Sequence, residues 1–413
     1  MSRAFAVVLA LCLAQAAHAV GDGSPYSLFG IGEITYAPGN QSTARGYTGI
    51  GLALENSING IAPASWARIN RTRIEAGLLY QGFKTSDSRG SLLMARSDFN
   101  GALLALPVDS SRGIVFVGGV TPYSRVNYNF FQEGSSTGVD HTINYVGKGG
   151  LAKAQGGLSY ALGQDLAVGA SVNYVFGSLE HQRIFLSSAG GTTNGTWVDK
   201  TSARGLFGTF GLRYSGFGKI LEGLDGLSMG LVVDSRATLK GEQQTTYSYQ
   251  SIGEGDTSQT SYPRLAIPVA YGIGLAVRTG QRYILAADYY AQPWSTADFF
   301  GTNPEDLRNS YRLGIGGERM GNSDPSARWL DRVAYRLGLR YDATYYRING
   351  EPINEWGITG GLGIPLGGES FLNLAVEYGG RGTTDKNLVK EQILKISASL
   401  SISELWFVRY EEE

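Results

Sequence analysis

Residues 265 to 278 read LAIPVAYGIGLAVR, in which Leu265, Ile267, Val269, Tyr271, Ile273, Leu275 and Val277 alternate with Ala266, Pro268, Ala270, Gly272, Gly274, Ala276 and Arg278. Strict period two over this length belongs to an extended strand with one greasy face. The pattern recurs. Tyr311, Leu313 and Ile315 stand against Arg312, Gly314, Gly316 and Glu318, and Val333, Tyr335, Leu337, Leu339 and Tyr341 against Arg336, Gly338, Arg340 and Asp342. Near the end, Leu394, Ile396, Ala398, Leu400 and Ile402 alternate with Lys395, Ser397, Ser399, Ser401 and Ser403. Such strands suit two surroundings: a secreted sandwich, with the greasy face on protein, or a membrane barrel, with the greasy face on lipid and the polar face on a wet interior.

Counting favours the barrel. Period-two runs fall at 73–85, 98–107, 112–132, 151–162, 165–185, 200–217, 225–250, 260–278, 281–291, 309–319, 332–347, 355–366, 370–380 and 389–403, fourteen in all. An even number is what a single-chain bacterial barrel requires. Connections after even-numbered strands are short, as at 163–165, 279–281 and 367–370, whereas polar loops near 133–150, 186–199, 240–259 and 292–308 follow odd-numbered ones. That rhythm predicts an antiparallel transmembrane β-barrel of about fourteen strands, integral to a bacterial outer membrane, with both termini in the periplasm. Trp406, Phe407 and Tyr410 are then expected in an aromatic girdle at the periplasmic interface.

The start of the chain agrees on compartment. MSRAFAVVLALCLAQAAHAV has a basic Arg3, an apolar run from Ala4 to Ala14 and a small-residue site at Ala17-His18-Ala19, the layout of a secretory leader over residues 1–19. The single cysteine, Cys12, falls inside it, so no thiol chemistry, thiolate metal site or cofactor is expected of the mature chain. Charged residues make up 17% of the chain, against roughly 25% in average soluble proteins. The net charge of −1 excludes a nucleic-acid binder.

Residues 20–72 do not alternate, which reads as a compact hatch ahead of a wall spanning 73–407 and a tail at 408–413. Within it, ARGYTGIGLALENSINGIAPASWARI (44–69) resembles the N-terminal hatch of FadL-like outer-membrane transporters, in which a Gly-rich stretch leads to an Asn-Pro-Ala turn. Here Pro63 and Ala64 match the hatch turn, and Ala62 stands where the family has Asn. ILAADYYAQPWS (284–295), YRLGIGGER (311–319), AYRLGLRYDATYY (334–346) and GITGGLGIPL (357–366) are also similar to later strands of that family. The resemblance implies a fourteen-stranded barrel with a periplasm-side hatch, and passive uptake of long-chain fatty acids or other hydrophobic compounds by lateral diffusion into outer-membrane lipid.

Candidate site residues follow. Apolar groups on both faces around Leu104, Leu106, Val115 and Val117 need cover from the hatch or from an apolar ligand, to which Phe29, Leu52, Leu54 and Trp66 would contribute. Gly118, Gly119 and Pro122 mark either a bent strand or a side opening in strand three. Arg312, Arg336 and Arg340, facing inward beside Glu318 and Asp342, form either a self-satisfying network or a head-group site, and Arg45 and Arg68 of the hatch are comparable candidates. His141 and His181 have no nucleophile elbow or metal-spaced companions, so no enzyme and no metal site is expected. An alternative role stays open: a scaffold or attachment subunit of an outer-membrane protein secretion or assembly complex, with protein partners at the loops or the acidic RYEEE tail.

Overall fold

The computed structural model describes residues 21–36, 39–136, 139–187, 194–249, 257–262, 264–297 and 307–404. The expected leader, the girdle at Trp406, Phe407 and Tyr410, and the acidic tail lie outside the described residues. Fourteen strands close into one antiparallel barrel. They are β1 (Thr72–Ser86), β2 (Ser91–Asp109), β3 (Ile114–Ser136), β4 (Val139–Leu162), β5 (Leu166–Ser187) and β6 (Gly195–Tyr214). Then come β7 (Leu227–Asp234 and Ala237–Tyr249), β8 (Thr257–Ser261, Arg264–Ile267 and Ala270–Thr279), β9 (Tyr283–Gln292) and β10 (Ser310–Arg319). The last four are β11 (Ala334–Ile348), β12 (Glu351–Gly367), β13 (Ser370–Gly382) and β14 (Lys390–Glu404). Closure is a continuous β14–β1 ladder from Lys390–Ser86 to Glu404–Thr72. It joins the last strand to the first, so neither is an edge.

The alternation sorts by face. Ser397, Ser399, Ser401 and Ser403 are buried inward, while Leu400 and Ile402 are exposed on the outer wall. Leu337 is 65% exposed and Leu313, Ile315 and Leu339 accompany it, between inward Glu318, Arg336 and Arg340. A belt of exposed leucine, isoleucine and phenylalanine around a whole barrel is a lipid-facing surface. Leu337→Arg should therefore cost about 2–4 kcal/mol if that residue lies near the bilayer midplane. Urea unfolding in lipid vesicles would measure it; an unchanged midpoint would remove Leu337 from the lipid face.

Two features differ from the sequence pattern. The polar stretches expected as loops are largely strand: β3, β4, β5 and β6 run 23, 24, 22 and 20 residues, and β3 pairs with β4 as far as Ser136–Val139. About ten residues suffice to cross a bilayer, so these hairpins project beyond it. Above the membrane both strand faces are wet, alternation disappears, and only backbone pairing remains. Conversely, the end of the barrel that holds Thr72 and Glu404, called the near end below, carries short turns at 163–165, 280–282 and 368–369 but also long connections at 215–226 and 320–333. The greasy face of β8 also switches. Leu265 and Ile267 are buried inward, whereas Val269, Tyr271, Ile273, Leu275 and Val277 are exposed outward. The ladder with β7 skips Ser235–Arg236 opposite Pro268–Val269. Pro268 has no N–H to give a ladder, so the strand breaks there and resumes with its faces exchanged.

Candidate functional site

The wall is incomplete between β2 and β3. Their ladder runs from Asp109–Ile114 to Ala102–Val120 and stops, although both strands continue toward the far end. Gly119 is the pivot: its φ is +155°, and a Cβ there would stand 2.1 Å from the Ala102 carbonyl oxygen. Pro122 follows, with a bulge between it and Ser124 in the β3–β4 ladder. Gly118, Gly119 and Pro122 thus sit where the two strands part. Valine at 119 cannot restore regular pairing, since it meets backbone rather than space. Gly119→Val is expected to block folding of the barrel, read as loss of heat-modifiable migration, while Gly118→Ala, whose Cβ meets the Phe116 ring edge at 3.2 Å and the Gln155 carbonyl oxygen at an ordinary 3.6 Å, should fold.

The N-terminal segment occupies the gap. Gly21 and Asp22 pair in parallel with Met94 and Ala95 of β2, Gly23 bridges Tyr128, and Glu33 and Ile34 pair antiparallel with Arg125 and Ser124 of β3. From there the chain turns inside the barrel through α1 (Asn40–Ala44). Gly46 passes so close to the wall that a Cβ would lie 2.5 Å from the Ile315 and Leu339 carbonyl oxygens, and its φ of +70° also calls for glycine. The N–H groups of Gly49 and Ile50 donate to the Asp288 carboxylate at 2.7 and 2.8 Å. Pro63 and Ala64 open a 3-10 helix (Pro63–Arg68) seated against Gly169 and Gly211. The asparagine that the sequence lacks at 62 is supplied by Asn59: its Oδ1 accepts from the Ile61 and Ala62 N–H groups, and Trp66 Nε1 donates to its carbonyl. An Asn four residues ahead of a Pro-Ala step was the available signal.

An ionic layer extends inside the lumen from the gap round to β10. Arg381 bonds Glu391 (2.7 Å), Glu33 (2.9 Å) and Glu355 (3.5 Å). Arg340 contacts Asp342, Glu355 and Glu377, Lys395 lies 3.2 Å from Glu355 and 3.3 Å from Glu377, and Arg312 pairs with Asp342. Arg96 bridges Glu33 (2.5 Å) and Asp98 (3.1 Å), and Arg125 reaches Asp98 at 3.5 Å. Six cations therefore face six carboxylates. Burial would raise the Glu33 carboxyl, but the Arg96 and Arg381 guanidiniums outweigh it and hold the group well below the usual carboxylate range. A depressed pKa stabilises docking above the ordinary value, and that contribution is lost only as pH falls through the lowered one. The N-terminal segment should stay protected from proteolysis between pH 7 and pH 5; release at pH 5 would contradict the pairing. Burial, then the Glu377 carboxylate, pushes the Tyr47 phenol up to about 12, so it remains the neutral donor of its 2.8 Å bond to Glu377.

The expected arginines separate. Arg312 and Arg340 belong to this layer, Arg336 and Arg45 share Glu318 in a second buried cluster, and Arg68 is exposed at the near end. Arg96, Arg381, Lys395 and their carboxylates were missed; their signal is charge at inward register positions such as Glu377, Arg381, Glu391 and Lys395. The apolar candidates also divide. Phe29 packs against the cluster that holds Tyr26, Ile31, Tyr128 and Leu265; Leu52 and Leu54 lie with Ala276, Ile284 and Ala286; and Trp66 clusters with Val115, Val117, Leu103, Ala105, Ile58 and Ile69. Leu104 and Leu106 differ from expectation. They alternate with inward Leu103 and Ala105, and so lie on the outer wall. A cavity of about 150 Å³ lies between the gap and the ionic layer, lined by Ile34, Tyr36, Leu79, Gln81, Arg96 and Arg312 among others. His181 Nδ1 shares a 2.7 Å hydrogen bond with Tyr128 Oη in the far half of the wall.

A fourteen-strand wall with its first segment folded inside is the architecture of FadL-like outer-membrane barrels. Three solved structures share it. The Pseudomonas putida toluene transporter TodX is 19% identical, covering 91% of this chain and 100% of its own, with a TM-score of 0.59. The Ralstonia pickettii toluene transporter TbuX is 16% identical (89% and 98%, TM-score 0.59), and a Pseudomonas aeruginosa FadL homologue 12% (90% and 99%, TM-score 0.60). These likenesses establish the fold. A family model described as BamG matches residues 1–411, and the chain belongs to that family. No curated protein matches it.

Proposed function

We propose that this outer-membrane barrel passes small hydrophobic compounds from outside the cell and releases them sideways into the bilayer through the β2–β3 gap. Residues 20–72 serve as the hatch, residues 73–407 as the wall and 408–413 as a tail, with both termini periplasmic. One observation carries the reading: the β2–β3 ladder ends at Ala102–Val120, and the space beyond it is bridged by a few backbone pairs from the chain's own N-terminal segment. Sideways release has an energetic reason. Each methylene delivered into water costs about 0.8 kcal/mol, roughly 10 kcal/mol for a sixteen-carbon chain, whereas a path from wall to lipid avoids that exposure. The 150 Å³ cavity favours cargo far smaller than a fatty acid in this closed conformation. The toluene-transporter likenesses support a monoaromatic compound as the first probe. Vesicles containing the full mature chain should take up labelled toluene faster than vesicles containing a barrel of unrelated family; equal rates would end the transport reading.

A second reading is favoured by the closed lumen. Leu52, Trp66, Val115 and Val117 are already covered by the chain itself and Phe29 and Leu54 partly so, which suits a barrel that works through its surfaces, as a scaffold subunit of an outer-membrane protein assembly complex. Stoichiometric protein partners in gentle detergent extracts, together with no toluene flux, would decide for it.

A further inference from the structure

The chamber between the gap and the ionic layer carries more hydrogen-bond donors than the protein uses. Tyr36, Gln81, Arg96 and Arg312 line it, and Tyr36 Oη, Gln81 Nε2, Arg96 Nη1 and Arg312 Nη1 are buried without a hydrogen-bond partner in the protein. Gln81 is 1% and Arg96 6% exposed, so neither reaches bulk water. The Arg312 guanidinium is held over two rings, 4.4 Å from Tyr36 and 5.0 Å from Tyr47, while its Nε is taken by Asp342. Its Nη1 is thus fixed in place before any ligand arrives. Four unspent donors in one chamber select acceptors, and two of them come from guanidiniums.

The geometry points to this chamber as a binding site for a small monocarboxylate with a short apolar body, an assignment that rests on the transport reading and names a cargo class for it. A carboxylate offers about four lone-pair sites on two oxygens, which matches the set, and charged acceptors make the stronger bonds to guanidinium. A cation is excluded, because the six carboxylates nearby are already shared among six basic groups. Ile34 and Leu79 supply the apolar side. At about 150 Å³ the chamber equals in size a cavity known to accept benzene, so a benzoate-sized molecule fits and a long acyl chain does not.

The test is calorimetric titration of the detergent-solubilised mature chain with benzoate, and with toluene as the uncharged comparator. Benzoate should bind saturably at one site and toluene at least tenfold more weakly. Tyr36→Phe, which removes a hydroxyl with no protein partner and so spares the fold, should weaken benzoate about 3–10-fold. Arg312→Lys keeps the charge but loses the fork, and should weaken it at least tenfold. Absence of saturable benzoate binding, equal affinity for toluene, or wild-type affinity in both variants would each overturn the site; four ordered waters in a benzoate-soaked crystal would do the same. The two readings fail separately. Toluene flux without benzoate binding leaves the channel and removes the site, and benzoate binding without flux of either compound does the reverse.

Discussion

Arg340→Ala should lower the stability of the barrel by about 3–5 kcal/mol, the usual cost of removing one partner from buried ion pairs. The residue contacts Asp342, Glu355 and Glu377 at once, lies 5.2 Å from the Tyr47 ring, and is 5% exposed. Its loss leaves Glu377 with Lys395 and the Tyr47 hydroxyl, Glu355 with Lys395 and a 3.5 Å contact to Arg381, and Asp342 with Arg312. The fault lies in the uncompensated carboxylates rather than in a missing attraction. Arg340→Met combined with Glu377→Gln should accordingly recover part of the loss. Urea titration in lipid vesicles reads both; a loss under 1 kcal/mol for the single variant would show that the layer is hydrated rather than buried.

Locking the N-terminal segment to β3 should abolish transport. Ile34 and Ser124 are directly opposite, and the Thr35 N–H donates to the Tyr123 carbonyl at 2.9 Å, which makes 34–124 a non-hydrogen-bonded pair with Cα atoms about 4.5 Å apart. That spacing accepts a disulfide. The only native cysteine is Cys12 in the expected leader, so Ile34→Cys with Ser124→Cys has no competing thiol. Under oxidation, flux of labelled toluene into vesicles should fall to the background rate and return on reduction. Undiminished flux with the disulfide formed would mean that the segment need not move and that the exit lies elsewhere.

Much of the wall was legible because lipid and lumen impose opposite chemistry on alternate residues. Leu313 and Ile315 against Arg312 and Glu318 can be read directly, as can the serine face of β14. The projecting halves of β3 to β6 were not legible, since water on both faces removes the contrast. Pro268 was visible, but not that the faces of β8 would exchange across it. At the gap, Gly118, Gly119 and Pro122 announced a disturbance without saying what filled it. The filler pairs through backbone atoms, which leave no trace in residue type. The ionic layer was half visible: Arg312 and Arg340 stood out in regular strands, whereas Glu33 sits in a segment with no period and gave no sign that it meets Arg96 and Arg381.

Ser24 donates to the Glu391 carboxylate at 2.7 Å, Tyr26 Oη to the Val389 carbonyl, and Arg381 donates to Ser24 Oγ at 2.8 Å. These contacts join positions separated by 357 to 367 residues along the chain. In synthesis the segment emerges first and its anchors emerge last. Contacts between residues this far apart form slowly, so the anchoring of the segment to the last two strands is completed at the end of assembly, after its pairings with β2 and β3 have become available. A chain truncated before Arg381 would keep the segment's pairings with β2 and β3 but lose every partner that Ser24 and Tyr26 find on the last two strands.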